Sequence, residues 1–348
     1  MNDFSKYTID KSASVRDALV KLNNLALSSD ALVLLVMDGK RLIGTLTDGD
    51  IRRFLINNDS LITPVEKVMK SNFISINPGE KNIKKIKSFR LNGLKLLPCV
   101  SESGELIKII DLKHKKSALP IDAVLMAGGK GERLRPLTEK TPKPLLKIGE
   151  KAIIDYNIDQ LINYGIEDIY VTTNYLAEHI EEHFKQERQG MEINCVREKE
   201  FLGTIASVKL IPDLKNDDIL IMNSDLFTNA DFEDFYRHFL ENEADMSVAA
   251  VPHIVNIPYG IFELEGRNIL GIKEKPKYNY YANAGIYIIK KSMLDLIPDG
   301  IYYNATDFIE LLVSQGKKVI RYLLTGYWID IGNPTDYQRA QEIARHIG

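Results

Sequence analysis

The chain has 348 residues, of which 45% are apolar, and its 45 basic and 48 acidic side chains give a formal charge of −3. Length and composition indicate a globular protein of two or three domains, because one domain usually takes about 100–200 residues. The longest evident apolar run, Ala31 to Met37, has seven residues. It excludes a bilayer-spanning helix, which needs about 20 apolar residues.

Charge is distributed unevenly along the chain. Residues 1–119 hold 20 of the basic and 13 of the acidic side chains, so this part carries +7 and the remainder −10. Its basic residues are scattered, with few aromatic residues among them, which argues against a nucleic-acid partner. Cys99 and Cys195 have no cysteine or histidine nearby at zinc spacing and predict buried, reduced thiols. The N-terminus lacks a secretory layout, so we expect a cytoplasmic protein without a membrane partner.

The first 119 residues contain a degenerate repeat. Residues 9–22 (IDKSASVRDALVKL) predict a strand, a polar turn and a helix, and residues 76–89 repeat this plan 67 positions later. In both copies an apolar strand, a tight turn and another strand follow, with the turn glycines Gly39 and Gly104 lying 65 residues apart. Each copy is too small to bury a core alone, so the pattern predicts a pair.

A basic stretch that ends in proline, KHKKSALP at residues 113–120, predicts a linker. We therefore divide the chain into a paired module at residues 1–119, with copies at about 1–62 and 63–119, and a second module at residues 120–348.

The second module alternates apolar runs with amphipathic ones. Four runs predict buried strands: DAVLMAG, DIYVTTNY, INCVRE and DILIMNSDLF. The helical patterns IIDYNIDQLINYG and LAEHIEEHF lie between them, and this alternation predicts a parallel α/β sheet with crossover helices. Four later runs, from SVAAVP to NAGIYIIK, lie closer together and predict antiparallel strands beside the parallel core.

A glycine-rich loop follows the first of these strands. Gly128, Gly129 and Gly131 let main-chain N–H groups approach phosphate oxygens. Residues 128–147 hold six basic and two acidic side chains, a local +4 that favours a polyphosphate ligand. A bare glycine-rich turn fits a plain turn as well as a phosphate site, but here Arg133 and a lysine between two prolines follow it. The P-loop and dinucleotide-binding patterns are both absent, which argues against an ATPase or a dehydrogenase.

The segment GGKGERLRPLTEKTPKPLL resembles the signature of sugar-1-phosphate nucleotidyltransferases. FLGTIASV, MNSDLF, IKEKP, NAGIYII and GYWIDIGNPTDY follow in the family's order within residues 121–348. The resemblance implies a Rossmann-like mixed α/β domain. It also implies attack by a sugar 1-phosphate oxygen on the α-phosphorus of a nucleoside triphosphate, with release of pyrophosphate. Such chemistry needs charge neutralisation and positioning more than a protein nucleophile.

The resemblance also implies roles for individual residues. Arg133 and Lys143 would hold the triphosphate, while Asp225 and Asp330 match two metal-binding aspartates, so Mg²⁺ is the implied cofactor. The implied nucleotide-binding set further contains Leu125, Ala127, Gly128, Gly129, Gly131, Glu198, Gly203 and Thr204. The implied sugar-phosphate-binding set contains Glu274, Lys275, Asn283 and Gly285. Taken singly, an aspartate after a strand is more often a helix cap or a turn residue, and a charged turn is more often merely solvated.

Base choice depends on Glu198, five residues before Gly203, where related thymidylyl enzymes carry a glutamine. A carboxylate only accepts hydrogen bonds, so it suits the N1–H and N2–H₂ donors of guanine and repels the O2 and O4 acceptors of uracil or thymine. REKEFLGTIASV also resembles guanylyltransferases, and we predict GTP as the donor. The alternative is a solvated Glu198 on a loop that also holds Lys199 and Glu200.

The repeated module resembles a pair of CBS domains, most clearly at GTLTDGDIRR. In that family a threonine and an aspartate three residues later bind an adenine nucleotide, and Thr47 and Asp50 match them. The second copy has Asp111 and His114 instead, so we expect at most one well-formed nucleotide site. The alternative is a docking or dimerisation platform without a ligand, which makes a homodimer through the pair a further prediction.

A CBS pair in front of this catalytic type resembles the glucosamine-1-phosphate guanylyltransferases of bacterial legionaminic acid synthesis, which implies GDP-glucosamine for surface glycans. One alternative is the same chemistry on mannose 1-phosphate with GTP, or on glucose 1-phosphate with UTP or TTP. Another is a non-catalytic nucleotide sensor, which would not need both metal carboxylates. The chain's end at Gly348 leaves no room for a hexapeptide-repeat acyltransferase, so we expect no bifunctional acetyltransferase.

Overall fold

The computed structural model describes residues 4–29, 31–57 and 60–347. It divides into two compact units, Met1–Pro120 and Ile121–Gly348. Within the described residues, no helix has both the length and the apolar composition that a bilayer crossing requires.

The first unit contains three α-helices and five strands among its described residues. They are β1 (Thr8–Asp10), α1 (Val15–Ala26), β2 (Val33–Asp38), β3 (Arg41–Thr47), α2 (Asp48–Asn57), α3 (Ile83–Leu91), β4 (Leu96–Val100) and β5 (Leu106–Asp111). β1 is parallel to β2, and β2 is antiparallel to β3. β4 and β5 form a separate antiparallel pair.

Both predicted copies of the repeat have the expected helix followed by two strands. In the first copy, Ser14 and Asp17 form a capping box that starts α1, because each side chain satisfies a main-chain N–H group at the helix end. In the second copy, the predicted first strand is reduced to one parallel bridge between Ile76 and Cys99. The second copy is therefore the less regular of the two.

The second unit contains a mixed sheet of seven strands flanked by helices. Its helices and strands are β6 (Asp122–Ala127), β7 (Lys147–Ile148), β8 (Lys151–Ala152), α4 (Ile153–Asn163), β9 (Ile169–Thr173), α5 (Ala177–His183), β10 (Asn194–Arg197), β11 (Asp218–Asn223), β12 (Leu226–Thr228), α6 (Phe232–Glu241), β13 (Met246–Asn256), β14 (Ile261–Glu265), β15 (Asn268–Lys273), β16 (Lys277–Lys290), α7 (Ala305–Ser314), β17 (Val319–Leu323), β18 (Trp328–Asp330) and α8 (Pro334–Ile347). The large sheet has the order β10-β9-β6-β11-β16-β13-β17.

Strand directions confirm the predicted mixed α/β fold. β10, β9, β6 and β11 run parallel, as their four apolar runs predict. β16 is antiparallel to both β11 and β13. The core of the sheet includes fully buried Val124, Ile219 and Ile221, and each such side chain contributes about 1.5–3 kcal/mol through the hydrophobic effect.

Two details differ from the predictions for the sheet. β10 is an edge strand and only half-buried, because no strand pairs with its outer side among the described residues. β14 and β15 do not join the large sheet but pair with each other as a separate hairpin. A second small sheet, β12 with β18, brings two distant parts of the chain together, with Leu226 opposite Asp330.

Candidate active site

A cavity of about 680 Å³ opens at the carboxyl ends of the parallel strands β6, β9 and β11. This edge is where ligands bind in open α/β sheets. The residues that line it are Met126, Ala127, Gly128, Gly129, Lys130, Gly131, Glu132, Arg133, Lys143, Pro144, Asn174, Glu198, Phe201, Gly203, Thr204, Asn223, Ser224, Asp225, Tyr302 and Gly332. Ten of the predicted site residues are therefore brought together at one surface.

The glycine-rich loop leaves β6 and turns against the proline-flanked lysine. Gly131 has a φ of +63°, and a Cβ atom there would lie 3.0 Å from both Lys143 Cβ and Thr138 Cγ2. The Thr138 hydroxyl donates a hydrogen bond of 2.9 Å to the Gly131 carbonyl. Glycine is required at this position by conformation and by space, and its absence of a side chain sets where Lys143 lies.

Lys143 lies between the two predicted metal-binding aspartates. Its ammonium group contacts the Asp225 carboxylate and lies 3.8 Å from Asp330 Oδ1. The main-chain N–H of Ile331 donates to the Asp225 carbonyl at 3.2 Å, next to the pairing of β12 with β18. Burial raises the pKa of Asp330, and the charge of Asp225 adds to this effect, whereas Lys143 opposes it. Both carboxylates therefore lie within ion-pair distance of the same ammonium group.

The two aspartates fit a magnesium ion by their chemistry. Asp225 Oδ1 is buried and accepts no hydrogen bond from any residue that the structure describes. An oxygen of this kind is suited to a cation, and magnesium takes few carboxylates together with phosphate oxygens and waters. The described residues contain no cluster of three or more histidine, cysteine or acidic side chains that could hold a metal by themselves. Asp225 and Asp330 are thus the pair that would hold the ion together with a phosphate ligand.

Glu198 is buried next to Gly128 of the glycine-rich loop. Its side chain is only 3% exposed, which excludes the solvated alternative. Oε2 accepts a 2.9 Å hydrogen bond from the Leu202 N–H, and Oε1 lies 2.7 Å from the point where a Cβ of Gly128 would be. Burial raises the pKa of this carboxyl, although the hydrogen bonds from Leu202 and Thr172 work against it.

The cavity is also lined by Arg133, Gly203 and Thr204. Gly332 packs against the Arg133 guanidinium, since a Cβ on Gly332 would lie 3.1 Å from Arg133 Nη2. Thr204 Oγ1 accepts a 2.9 Å hydrogen bond from the Ala305 N–H at the start of α7. The threonine therefore caps a helix as well as lining the cavity.

The four predicted sugar-phosphate residues fall into two pairs. Glu274 and Lys275 are exposed in the turn between β15 and β16 and do not line the cavity. Asn283 and Gly285 lie in β16, where a Cβ on Gly285 would be 2.5 Å from Nδ2 of the cavity residue Asn223. Asn283 accepts a 2.9 Å hydrogen bond from the Gly285 N–H. One pair thus adjoins the cavity and the other lies on the hairpin turn.

Leu125 is the one predicted nucleotide-binding residue that lies away from the cavity. It is fully buried within β6 and does not line the cavity. Its side chain belongs to the core of the sheet. A role in nucleotide binding remains a prediction for this residue.

The first unit has its own cavity, of about 490 Å³, lined by Thr47 but not by Asp50. Asp50 is buried, and its carboxylate accepts hydrogen bonds from the Thr47 hydroxyl at 2.5 Å and from Arg53 at 2.6 Å. Lys70 lies 3.3 Å from the same group. The carboxylate that the sequence assigns to a ribose is therefore already engaged by neighbouring donors.

Several cavity residues were not predicted from the sequence. Asn174 and Asn223 stand at the ends of β9 and β11, and the rule that ligands bind at the carboxyl ends of parallel strands would have identified both. Phe201 begins the FLGTIASV segment, but Tyr302 lies 101 positions further along the chain and belongs to none of the segments that resemble the family. Only the tertiary structure brings them together.

Two family models match parts of this chain. The family model "Nucleotidyl transferase" matches residues 122–346, and that of the CBS domain matches residues 3–57. "Bifunctional protein GlmU" of Methanococcus maripaludis is 33% identical over 226 residues, which cover 62% of this chain and only 52% of that protein.

Two further proteins resemble the second unit along almost their whole length. "D-glycero-alpha-D-manno-heptose 1-phosphate guanylyltransferase" of Aneurinibacillus thermoaerophilus is 29% identical over 229 residues, which cover 65% of this chain and 99% of that enzyme. The crystal structure of HddC from Yersinia pseudotuberculosis superposes with a TM-score of 0.50 at 24% identity, covers 64% of this chain and 99% of that one, and supports the fold. The chain accordingly belongs to the nucleotidyl transferase family and carries a CBS domain at residues 3–57.

Proposed function

We propose that the second unit transfers GMP from GTP onto a sugar 1-phosphate, with Mg²⁺, and releases pyrophosphate. Our first choice of acceptor is glucosamine 1-phosphate, which would give GDP-glucosamine for surface glycan or legionaminic acid synthesis. The observation that carries the choice of GTP is the buried carboxylate of Glu198, which lies against Gly128 in the cavity that also contains the phosphate loop.

The reaction forms a bond between the sugar phosphate oxygen and the α-phosphorus and breaks the bond from that phosphorus to the β-phosphate oxygen. Negative charge then grows on the leaving pyrophosphate. Arg133 and Lys143 line the cavity as cations, and they would stabilise this charge and keep the three groups in line. Asp225 and Asp330 would hold the magnesium ion, which supplies further neutralisation of the phosphate oxygens when bound.

Glu198 would read the Watson–Crick edge of the base. Its Oε2 accepts the hydrogen bond from the Leu202 N–H, and Oε1 lies on the side of Gly128 and the cavity. As an ionised acceptor, it favours the two adjacent donors of guanine over a pyrimidine that presents carbonyl oxygens. The 29% identical heptose 1-phosphate guanylyltransferase supports the same choice.

The sugar 1-phosphate would bind beside Asn223, between the phosphate loop and β16. Asn283 and Gly285 adjoin that side chain and would contact the sugar. For Glu274 and Lys275 to bind sugar hydroxyls and the sugar phosphate, the exposed turn between β15 and β16 has to approach the cavity when the acceptor binds.

We assign regulation to residues 1–119 as a CBS pair with copies at about 1–62 and 63–119. An adenine nucleotide would bind near Thr47, with Asp50 as its ribose contact once Arg53 and Lys70 release that carboxylate. The pair is also our proposed homodimer contact. Because the reaction consumes a nucleoside triphosphate, we assign it to the cytoplasm.

The decisive experiment is a matrix of GTP, ATP, UTP and TTP against glucosamine, mannose and glucose 1-phosphates with Mg²⁺, with pyrophosphate release as the readout. We expect the largest kcat/KM with GTP and glucosamine 1-phosphate, and loss of the preference for GTP over UTP in Glu198→Gln. A preference of the wild-type protein for UTP or TTP would refute the base assignment. Silence in every combination would refute the proposed activity.

A further inference from the structure

Two aromatic side chains stand at the mouth of the cavity next to Glu198. Phe201 is 41% exposed and Tyr302 is 56% exposed, although both line the cavity. Their ring centroids are 5.9 Å apart with an angle of 63° between the rings. Large aromatic surfaces exposed inside a concave site are available to a ligand, since water solvates them poorly.

Phe201 is directed at the same point as the Glu198 carboxylate. The nearest neighbours of a Cβ on Gly128 would be Glu198 Oε1 at 2.7 Å, with Phe201 Cδ2 and Asn174 Cβ both at 3.3 Å. A carboxylate and a ring edge therefore converge above a residue that has no side chain. This combination supplies an acceptor for the edge of a flat heterocycle and an apolar surface for its face.

Two hydrogen bonds join the segments that carry the two aromatic residues. The Tyr303 N–H donates to the Leu202 carbonyl at 2.9 Å, and the Ala305 N–H donates to the Thr204 hydroxyl at 2.9 Å. The segments that carry Phe201 and Tyr302 are thus joined next to the rings themselves. A ring pair that is fixed before the ligand arrives loses little entropy on binding.

Tyr302 differs from its neighbour Tyr303 in the hydrogen bonding of its hydroxyl group. The Tyr303 hydroxyl donates to the Asp307 carbonyl at 3.4 Å, whereas the Tyr302 hydroxyl has no hydrogen-bond partner among residues 4–29, 31–57 and 60–347. The exposed ring is therefore not held there by a polar contact of its own. Its position is set by the joined segments and by Phe201.

We propose that Phe201 and Tyr302 form the stacking wall for the nucleobase and determine how much of the nucleotide affinity comes from the base. The proposal rests on the proposed nucleotidyl transfer and adds to it a class of contact, aromatic stacking, at named residues. Stacking area is greater for a purine than for a pyrimidine, so the wall and Glu198 favour the same donor.

The test compares the affinities of the full-length protein for GTP and for inorganic triphosphate, measured by calorimetry. Their ratio reports the contribution of the nucleoside. Phe201→Leu and Tyr302→Leu should each lower the ratio by about 5- to 150-fold, the range typical of one base-stacking contact. Affinity for inorganic triphosphate should stay unchanged, because the phosphate loop is intact.

Two further variants separate stacking from other effects. Tyr302→Phe keeps the ring and should retain the wild-type ratio. Tyr280→Leu removes a ring of nearly equal exposure, 57%, from β16, and should also retain it. If both leucine variants keep the wild-type ratio, or if they lose triphosphate binding to the same extent as GTP binding, the stacking wall is refuted.

The same measurement distinguishes the wall from the proposed base choice. If wild-type protein binds UTP more tightly than GTP, the assignment of GTP fails, but the ratio of UTP to triphosphate still has to fall in the two leucine variants. If it does not fall, the stacking wall fails independently.

Discussion

Replacing Lys143 by methionine removes the positive charge between Asp225 and Asp330 but keeps an unbranched side chain to pack against Gly131. At the 3.8 Å separation from Asp330, the Coulomb attraction is about 4 kcal/mol at an effective dielectric constant of about 20 and about 1 kcal/mol in water. The Asp330 side chain is 43% exposed, so we take the lower part of this range, about 1–2 kcal/mol. For a unit of this size that predicts a Tm lower by about 2–8 °C at pH 7.

The variant should also be sensitive to pH. Burial and Asp225 already raise the pKa of Asp330, so the folded state binds a proton more readily than the unfolded state and loses stability as pH rises above the ordinary aspartate value. Without Lys143 the pKa rises further. The loss of Tm relative to wild type should therefore be largest at pH 7 and shrink towards pH 5.

Catalysis is the third readout for Lys143→Met. The loss of one cation at the reacting phosphates should lower kcat by about 100- to 1,000-fold, as for removal of one oxyanion donor. Lys140→Met is the matched control, because Lys140 is an exposed lysine of the same segment that does not line the cavity. Wild-type turnover in Lys143→Met, or a Tm loss that is the same at pH 5 and pH 7, would contradict this account of the cluster.

Three other predictions concern conformation, base choice and the first unit. Gly203→Ala places a Cβ 2.6 Å from a main-chain carbonyl oxygen at φ +84° and should lower the free energy of unfolding in urea by about 2–5 kcal/mol. Gly190→Ala, at φ +76° with nothing within 4 Å, should lower it by only about 1–2 kcal/mol. Equal losses in the two variants would contradict the steric argument. Because burial raises the pKa of Glu198, the ratio of kcat/KM for GTP to that for UTP should fall from pH 8 to pH 5 in wild type and stay flat in Glu198→Gln. Burial acts to raise the pKa of Asp50, but the hydrogen bonds that its carboxylate accepts have the larger combined effect and lower this pKa. The carboxylate therefore stabilises the fold at pH values above the ordinary pKa of aspartate, and this stabilisation is lost as the pH falls. Asp50→Asn should then cost about 1 kcal/mol in urea unfolding at pH 7 and less at pH 3, and an equal cost at both pH values would contradict this assignment.

Much of the candidate active site was predictable from the sequence because its residues follow strands. Gly128 comes directly after β6 and Asp225 comes shortly after β11, and parallel strands end at the same edge of a sheet. The proline-flanked Lys143 was predictable from local charge and from motif. Strand-end geometry and local composition are short-range properties, so a single sequence carries them.

Long-range pairing was not predictable in the same way. The position of Asp330 beside Lys143 depends on the antiparallel pairing of β12 with β18, two strands of only three residues each. Such short strands have no periodicity that a sequence pattern would reveal. The burial of Glu198 likewise depends on the packing of its own loop over Gly128, and no local sequence pattern distinguishes this carboxylate from a solvated one.

The hydrogen bond from the Leu202 N–H to Glu198 constrains how the preference for a base can change during evolution or in the laboratory. A glutamine at position 198 can keep this bond only if its amide oxygen takes the place of Oε2. Its NH₂ group is then forced into the position of Oε1, on the side of Gly128. One conservative exchange therefore turns an acceptor into a donor at a fixed place and leaves the loop conformation intact. A shorter residue at position 198 would lose the hydrogen bond to the Leu202 N–H and so release the loop. The exchange of Glu198 for glutamine is therefore the simplest way to change the preferred base through this position.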